Sequence, residues 1–492
     1  MKDLKERTIR GGLARSLGLG ARFALRLGTL MVLARLLAPK DFGLVGMVTA
    51  FTGVLDLFRD FGLSAATIQS ANVTIEQKST LFWINIAFGC LLAGIMIAMA
   101  PVIAAFYHEP RLVRVTIVLA AGLILNAAAV QHSALLQREM RFTTLTAIDV
   151  TALTLAAVVA IVGAKAGFGY WALVAMTITL PLATAAGVWL TSGWIPGLPR
   201  RGAGVRPMMR FGGTLTVTGL TVYLANNLDK VLLGRYWGVD ALGLYGRAYQ
   251  LINIPTSNLN SAAGEVAFSA LSRLQDDPPR RRSYFLKGFS LVLGLTLPIT
   301  VACAFFARGM VLVLLGPKWE GAVPIFRLLA PTILVFAVAN PLSWLLSASG
   351  LIARQMKMSL VIAPGMILGY VVGLPYGPRG VAFAYSLVMT LWVFPLIAWA
   401  VHGTEISFRD VMRTAGPPLI ASAAAGAVAF AVGMAFCRSF VPLLRLSIEC
   451  SVLLVAFIGF LMMVAGQRTL YLGLLRGVIG SVSGRARVAA SI

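Results

Sequence analysis

Charged residues, histidines and cysteines are all scarce in this chain, and each shortage removes a class of activity. Asp, Glu, Lys and Arg together make only 12% of the 492 residues, where water-soluble domains carry about a quarter, which argues against a soluble fold. The three histidines, His108, His132 and His402, lie in separate segments. A zinc site or a Ser/His/Asp triad therefore has almost no material to be built from. The four cysteines, Cys90, Cys303, Cys437 and Cys450, show neither CxxC nor Cys/His ligand spacing and read as small core residues. No GxxxxGK[ST] pattern occurs, so the chain brings no ATPase of its own. Acidic residues are the scarcer charge, leaving a formal net charge of +24. The basic residues are dispersed through apolar segments and short links, a distribution that membrane topology explains better than nucleic-acid binding does.

What remains is apolar. Hydrophobic residues make 58% of the chain and mean hydropathy is +0.85, enough for stretches of about 20 residues that can cross a bilayer to recur from end to end. The apolar windows predict helices at 12–37, 41–67, 79–106, 112–136, 142–164 and 168–191. After a Gly-, Pro- and Arg-containing link, Ser192 to Arg210, a second set lies at 211–235, 240–270, 284–315, 322–348, 356–375 and 379–402, with a last pair at 412–436 and 444–466. The expected architecture is an all-α membrane protein of about fourteen transmembrane helices. Its expected parts are an N-terminal lobe over 1–200, a C-terminal lobe over 201–403, and a C-terminal helix pair with a basic tail over 404–492. The basic N-terminus, Met1 to Arg10, resembles a signal peptide, yet Arg15, Arg22 and Arg26 interrupt the apolar run behind it and no small-residue cleavage site ends that run, so the segment is expected to be retained.

Lys and Arg collect in alternate links: the N-terminus, Arg200 to Arg210, Arg273 to Lys287, Arg409 with Arg413, and the tail with Arg468, Arg476, Arg485 and Arg487. By the positive-inside rule both termini are expected to be cytoplasmic. An internal repeat is also legible. Arg35, Gly43, Leu44 and Gly46 recur 200 residues later as Arg235, Gly243, Leu244 and Gly246, and Ala120, Ser133, Leu135 and Leu136 recur 210 residues later as Ala330, Ser343, Leu345 and Leu346. Duplication of a six-helix unit fits both offsets, and repeated bundles of this kind rock about a substrate site between them.

Certain runs carry a resemblance. Asn227-Leu-Asp229-Lys230-Val-Leu-Leu-Gly234-Arg235, continuing through Leu242-Gly243-Leu244-Tyr245 and Ala248 to Pro255, is similar to the seventh and eighth helices of the polysaccharide transport (Wzx-like) family. That family lies within the multidrug/oligosaccharidyl-lipid/polysaccharide exporter superfamily. Ala34-Arg35-Leu-Leu-Ala-Pro39-Lys-Asp41-Phe42-Gly43, with Phe61-Gly62-Leu63, resembles its first helix pair. The resemblance implies a bundle of six plus six helices, often with two more, that moves undecaprenyl-diphosphate-linked oligosaccharide repeat units across the inner membrane for O-antigen, capsule or exopolysaccharide assembly. Implied partners are the lipid-linked oligosaccharide, membrane lipids, and a polysaccharide polymerase with a chain-length regulator.

The resemblance supplies no site residues, so these come from physics. Charges inside a membrane helix cost about 2.5 kcal/mol or more on insertion scales and generally face an interior with a role. Arg15, Arg22 and Arg26 lie within about 20° of one line on the first helix, and arginine's planar fork suits a diphosphate. Arg15 is also placed to snorkel to the interface. On the second helix Thr52, Asp56, Arg59 and Asp60 form a polar stripe. Asp56 and Asp60 are expected to neutralise Arg22 and Arg26 when no substrate is bound, or to form a static ion-pair network with Arg59. Helix seven carries Thr214, Thr218, Thr221 and Asp229 on one face with Asn226 and Lys230 nearby. Asp229 is a candidate for a coupling proton or sodium ion, or for a structural pair with Lys230. Around Pro255, Arg247, Asn258, Ser261 and Glu265 fall on one face of helix eight, where a kink can serve as hinge or simple packing feature. Substrate binding is thus assigned to Arg22, Arg26, Arg59, Arg247 and Asn258, coupling or gating to Asp56, Asp60, Asp229, Lys230 and Glu265, with no catalytic residue, metal or cofactor. Trp171, Trp194, Trp319 and Trp344 are candidates for sugar stacking or interfacial anchoring.

Three other functions compete. A lipid II flippase of peptidoglycan synthesis shares fold and cationic cavity. A multidrug exporter of cations favours acidic and aromatic cavities instead. A membrane polymerase or ligase needs a large outer loop, and every link on the outer side is short.

Overall fold

The computed structural model describes residues 2–59, 64, 67–68, 74–200, 206–436 and 440–463. It is all-helical over those residues. Helices α1 (Lys2–Leu36), α2 (Pro39–Arg59), α3 (Ile75–Tyr107), α4 (Leu112–Arg138), α5 (Phe142–Lys165) and α6 (Tyr170–Ser192) come first. The helical stretch Arg206–Arg273 is interrupted at Gly238, whose φ of 79° and ψ of −171° are non-helical, giving α7 (206–237) and α8 (239–273). Next come α9 (Pro278–Phe305), α10 (Ala307–Leu314), α11 (Ala322–Leu329), α12 (Pro331–Ala348), α13 (Ile352–Gly373), α14 (Gly377–Val401), α15 (Phe408–Phe436) and α16 (Pro442–Met463). Among the described residues fourteen of these sixteen helices are long, the shortest of those being α12 with 18 residues, while α10 and α11 have 8 each.

Two expected spans are broken. The 284–315 run divides because Phe306 leaves the helical region (φ −102°, ψ 22°) between α9 and α10. The 322–348 run is α11 joined to α12 at Ala330, with Pro331 at the start of α12, where a missing N–H costs nothing. The start of α3 is fixed by a capping box: Thr74 Oγ1 accepts from Gln77 N at 3.1 Å and Gln77 Oε1 accepts from Thr74 N at 3.1 Å.

Among the described residues nine segments, α3 to α6, α9, α11–α12, α13–α14, α15 and α16, are long and apolar enough to cross a membrane. At most 61% of any such stretch is buried within the protein, and Leu155, Val158 and Val162 of α5 or Leu387, Leu391 and Phe394 of α14 stand exposed. An apolar surface of this kind has lipid as its solvent. Helices α1, α2, α7 and α8 are absent from the apolar set. They are the helices that carry Arg22, Arg26, Asp56, Asp229, Lys230 and Arg247, and they form two pairs related by the offset of 200.

The chain forms two compact units. The first comprises Met1–Gly246 with the short segments Leu315–Trp319 and Leu374–Pro378; the second comprises Arg247–Leu314, Glu320–Gly373 and Arg379–Ile492. Within the first unit lie α7 and the first turns of α8. There Gly43 of α2 and Gly243 of α8 come into close contact. In the first unit small residues let helices approach: a Cβ on Gly89 of α3 would lie 2.6 Å from Ala127 Cβ of α4, and one on Gly187 of α6 would lie 2.7 Å from Ile148 of α5. The core of the second unit joins Phe285, Phe289, Leu293 and Leu297 of α9 to Val338, Leu342 and Leu345 of α12 and Ile397 of α14. A seam of Ala421, Ala425 and Ala429 on α15 meets Leu453, Phe457 and Leu461 of α16 and Ala302 of α9.

Candidate functional site

The basic stripe of α1 is held against α5. A Cβ on Gly18 would lie 2.1 Å from Thr146 Cγ2, so glycine is what permits this approach. One turn further on, Arg22 Nη1 donates to Asp149 Oδ2 at 2.7 Å. The pair is partly open, with side chains 27% and 40% exposed. Arg26 is exposed one turn beyond and also lies within electrostatic reach of Asp149. Among the described residues Arg26 makes no ion pair. Two guanidiniums therefore share one carboxylate, and the cluster keeps a net positive charge.

The partner of Arg22 is thus Asp149, where the sequence reading looks to Asp56 or Asp60. Asp149 is the lone acidic residue inside the apolar run 142–164, and the cost of intramembrane charge was the signal that could have found it. Asp56 is half-buried on α2 and interacts electrostatically with Tyr223 of α7. The Tyr223 hydroxyl donates to Ala50 O at 3.4 Å and lies where a Cβ on Gly53 would intrude. Asp60 and the side chains of Arg15, Arg59, Thr214, Thr218, Thr221, Asn258, Ser261 and Glu265 lie outside the described residues. Arg247 is described: half-buried at the start of the second unit, it donates from Nη1 to Gln250 Oε1.

Asp229 is 1% exposed. Its Oδ2 accepts from the Tyr245 hydroxyl at 2.7 Å and its Oδ1 from the Lys230 backbone N–H at 2.8 Å. The Lys230 ammonium reaches Asn227 Oδ1 at 2.7 Å, so the expected Asp229–Lys230 contact runs through the backbone amide. Since Tyr245 belongs to α8, the carboxylate ties α7 to α8 across the break at Gly238.

At the end of the first unit where α2 and α8 begin, the repeat becomes a physical contact. A Cβ on Gly43 would lie 1.8 Å from Val239 O, and a Cβ on Gly243 would lie 2.0 Å from Pro39 O. Position 39 plus 200 is 239, and 43 plus 200 is 243, so each repeat offers its glycine to the same carbonyl of the other. That reciprocity is the mark of a two-fold contact. Only glycine lets backbones come so close. Beside it the buried Trp319 donates from Nε1 to Ala34 O at 2.8 Å and meets Phe42 edge-on with ring centroids 5.3 Å apart.

A family model described as "Polysaccharide biosynthesis protein" matches residues 32–324. The chain belongs to the polysaccharide biosynthesis protein family. The match runs from the end of α1, through the reciprocal glycines, to the start of α11. Among curated members the lipopolysaccharide biosynthesis protein WzxC of Escherichia coli K12 is 26% identical over 88% of this chain and 89% of its own. The teichuronic acid biosynthesis protein TuaB of Bacillus subtilis 168 is 27% identical over 76% of this chain and 78% of its own. The lipid II flippase MurJ in an inward closed conformation superposes with a TM-score of 0.74 at 12% identity, covering 92% of this chain and 98% of that one. At that identity the likeness establishes a shared fold: a multi-pass helical membrane protein.

Proposed function

We propose that this chain is a secondary transporter that flips an undecaprenyl-diphosphate-linked oligosaccharide across the bacterial inner membrane, both termini being cytoplasmic. The observation that carries the reading is the α1–α5 cluster, in which Arg22 and Arg26 share Asp149. A diphosphate brings the negative charge this cluster lacks, and each guanidinium offers it a planar fork of donors. Substrate phosphate displaces Asp149 from Arg22, so occupancy changes the contact between α1 and α5. A ligand must act differentially on two states in this way if it is to drive a conformational change. The family, and relatives named for lipopolysaccharide and teichuronic acid synthesis, point to envelope polysaccharide as the pathway. A polymerase and a chain-length regulator are then the proteins that receive the flipped unit. Transport, with no bond made or broken, is the work assigned to the chain.

Complementation tests the substrate. The gene is introduced into one strain lacking an oligosaccharide-lipid flippase and another depleted of its lipid II flippase. Restored surface polysaccharide in the first, with continued lysis in the second, is the expected pattern. Rescue of the second strain alone would transfer the assignment to lipid II.

A further inference from the structure

The two repeats close against each other with different chemistry at equivalent places. Arg35 and Arg235 are equivalent at the offset of 200, and Lys318 and His108 at the offset of 210. In one half Lys318 Nζ donates to the Arg35 carbonyl at 3.3 Å. In the other, Arg235 Nη1 meets His108 Nδ1 at 2.6 Å, while its guanidinium carbon lies 5.5 Å from the centre of the Phe106 ring. All four residues belong to the first unit.

The Arg235–His108 contact has only one consistent protonation. Arginine does not deprotonate and has no acceptor, so His108 Nδ1 must present its lone pair, with the ring proton on Nε2. The imidazole is neutral in this arrangement. A proton added to Nδ1 fills that lone pair, breaks the N–H···N hydrogen bond and sets two cations face to face. The backbone that carries the imidazole is fixed: His108 ends α3 in the left-handed region (φ 56°), its backbone N–H bonded to Ala104 O and Ala105 O. The other ionisable groups on the elements around this turn include Tyr107, Glu109 and Arg111 in the turn itself, Tyr236 on α7, the exposed Asp240 at the start of α8, Lys40 and Asp41 at the start of α2, and Tyr170 at the start of α6. The Glu109 and Asp41 carboxylates are engaged. Arg111 Nε and Nη2 hold Glu109 at 2.7 and 2.8 Å, and Asp41 Oδ2 accepts from Ala38 N at 2.9 Å.

We propose that His108 is a proton-binding site which, when empty, latches the end of α7 to the end of α3, and when filled releases Arg235. With both termini cytoplasmic this face is the outer one, so protons arriving down their gradient unlatch it; only that sidedness and the link to transport rest on the flippase reading. Histidine is the side chain suited to such a switch near neutral pH, and Lys318, its counterpart in the other repeat, is not.

Amide hydrogen exchange of the full chain in lipid nanodiscs tests the latch without any substrate. After correction for intrinsic exchange, residues 233–239 and the end of α3 in wild type should lose protection about tenfold between pH 7.5 and 5.5, a coupling of ordinary size. His108→Gln, a neutral acceptor at both pH values, should stay protected throughout, and His108→Lys should be unprotected throughout. Unchanged protection in wild type, or the same loss in His108→Gln, overturns the proposal. Should His108→Lys not fold, the comparison of wild type with His108→Gln decides. Neither overturning result bears on the complementation that tests the flippase reading.

Discussion

Arginines are paired in two different ways in this protein. In the second unit Arg281 grips Glu405 with both arms, Nη2 reaching Oε2 at 2.8 Å, and Arg282 grips Asp410 at 2.6 and 3.1 Å. Each cation there has its own carboxylate, and the Arg281–Glu405 pair is only 14% exposed on either side. These pairs staple the start of α9 to the link before α15 and to the first turn of α15. In the first unit Arg22 reaches Asp149 with a single arm, Arg26 lies within electrostatic reach of the same carboxylate, and all three are open. Full, bidentate pairing holds structure together, and for Arg281 and Glu405 it is also enclosed. Partial, single-armed and open pairing leaves donors for a ligand.

Mutation can break this contrast. The largest stability effect is expected at the staple: Arg281→Ala leaves Glu405 enclosed without its partner and should cost about 3 kcal/mol, read as a lowered unfolding midpoint in detergent. Transport per folded molecule should be unchanged; a fall there would erase the distinction. Next come the reciprocal glycines. Gly43→Ala and Gly243→Ala each force a methyl onto a carbonyl, and each should cost about 1–3 kcal/mol. Similar losses from the two variants would support the two-fold contact, and a large loss from one alone would contradict it. Asp149→Asn should cost no more than about 1 kcal/mol, since the pair is open to its surroundings, while removing the carboxylate that competes with substrate. Binding of the lipid diphosphate should tighten, as measured by quenching of a labelled lipid.

The smallest effect concerns pH. Burial alone would raise the Glu405 carboxyl, but the hydrogen bond from Arg281, with its charge, outweighs burial and lowers it. A carboxylate lowered on folding contributes stability above its unfolded value, about 4.3, and loses it as pH falls through the folded value. Unfolding midpoints should therefore drop in acid below that point, and Glu405→Gln should flatten this part of the profile.

Much of the scaffold was legible because its causes are local. Apolar runs with short polar links mark the fourteen long helices found among the described residues, whereas the break before Pro331 lies unread inside the run 322–348. The repeat was visible as Arg35/Arg235 and Gly43/Gly243, yet periodicity says nothing of contact, and that the two glycines meet is a consequence of helix packing alone. The candidate site was half legible. Arg22 and Arg26 announce themselves by the cost of charge inside a membrane helix. Asp149 stands 127 residues away from Arg22, and Asp56, at helical spacing with Arg59, looked the nearer partner. Which carboxylate meets an arginine depends on which helices touch, here α1 and α5 through Gly18 and Thr146. His108 looked idle as one of three scattered histidines, and its meaning came from the arginine brought to it.

The direct trial of the α1–α5 cluster is translocation in proteoliposomes. Purified wild type, the Arg22→Ala/Arg26→Ala double variant and Arg281→Ala are reconstituted in equal amounts, and inward and outward pools of a fluorescent undecaprenyl-diphosphate oligosaccharide are followed over time. Hydrogen bonds to charged groups contribute about 1.5–3 kcal/mol each, so the double variant should slow at least about tenfold while Arg281→Ala keeps the wild-type rate per folded molecule. A double variant that moves the lipid as fast as wild type would contradict the assignment of Arg22 and Arg26 to the substrate.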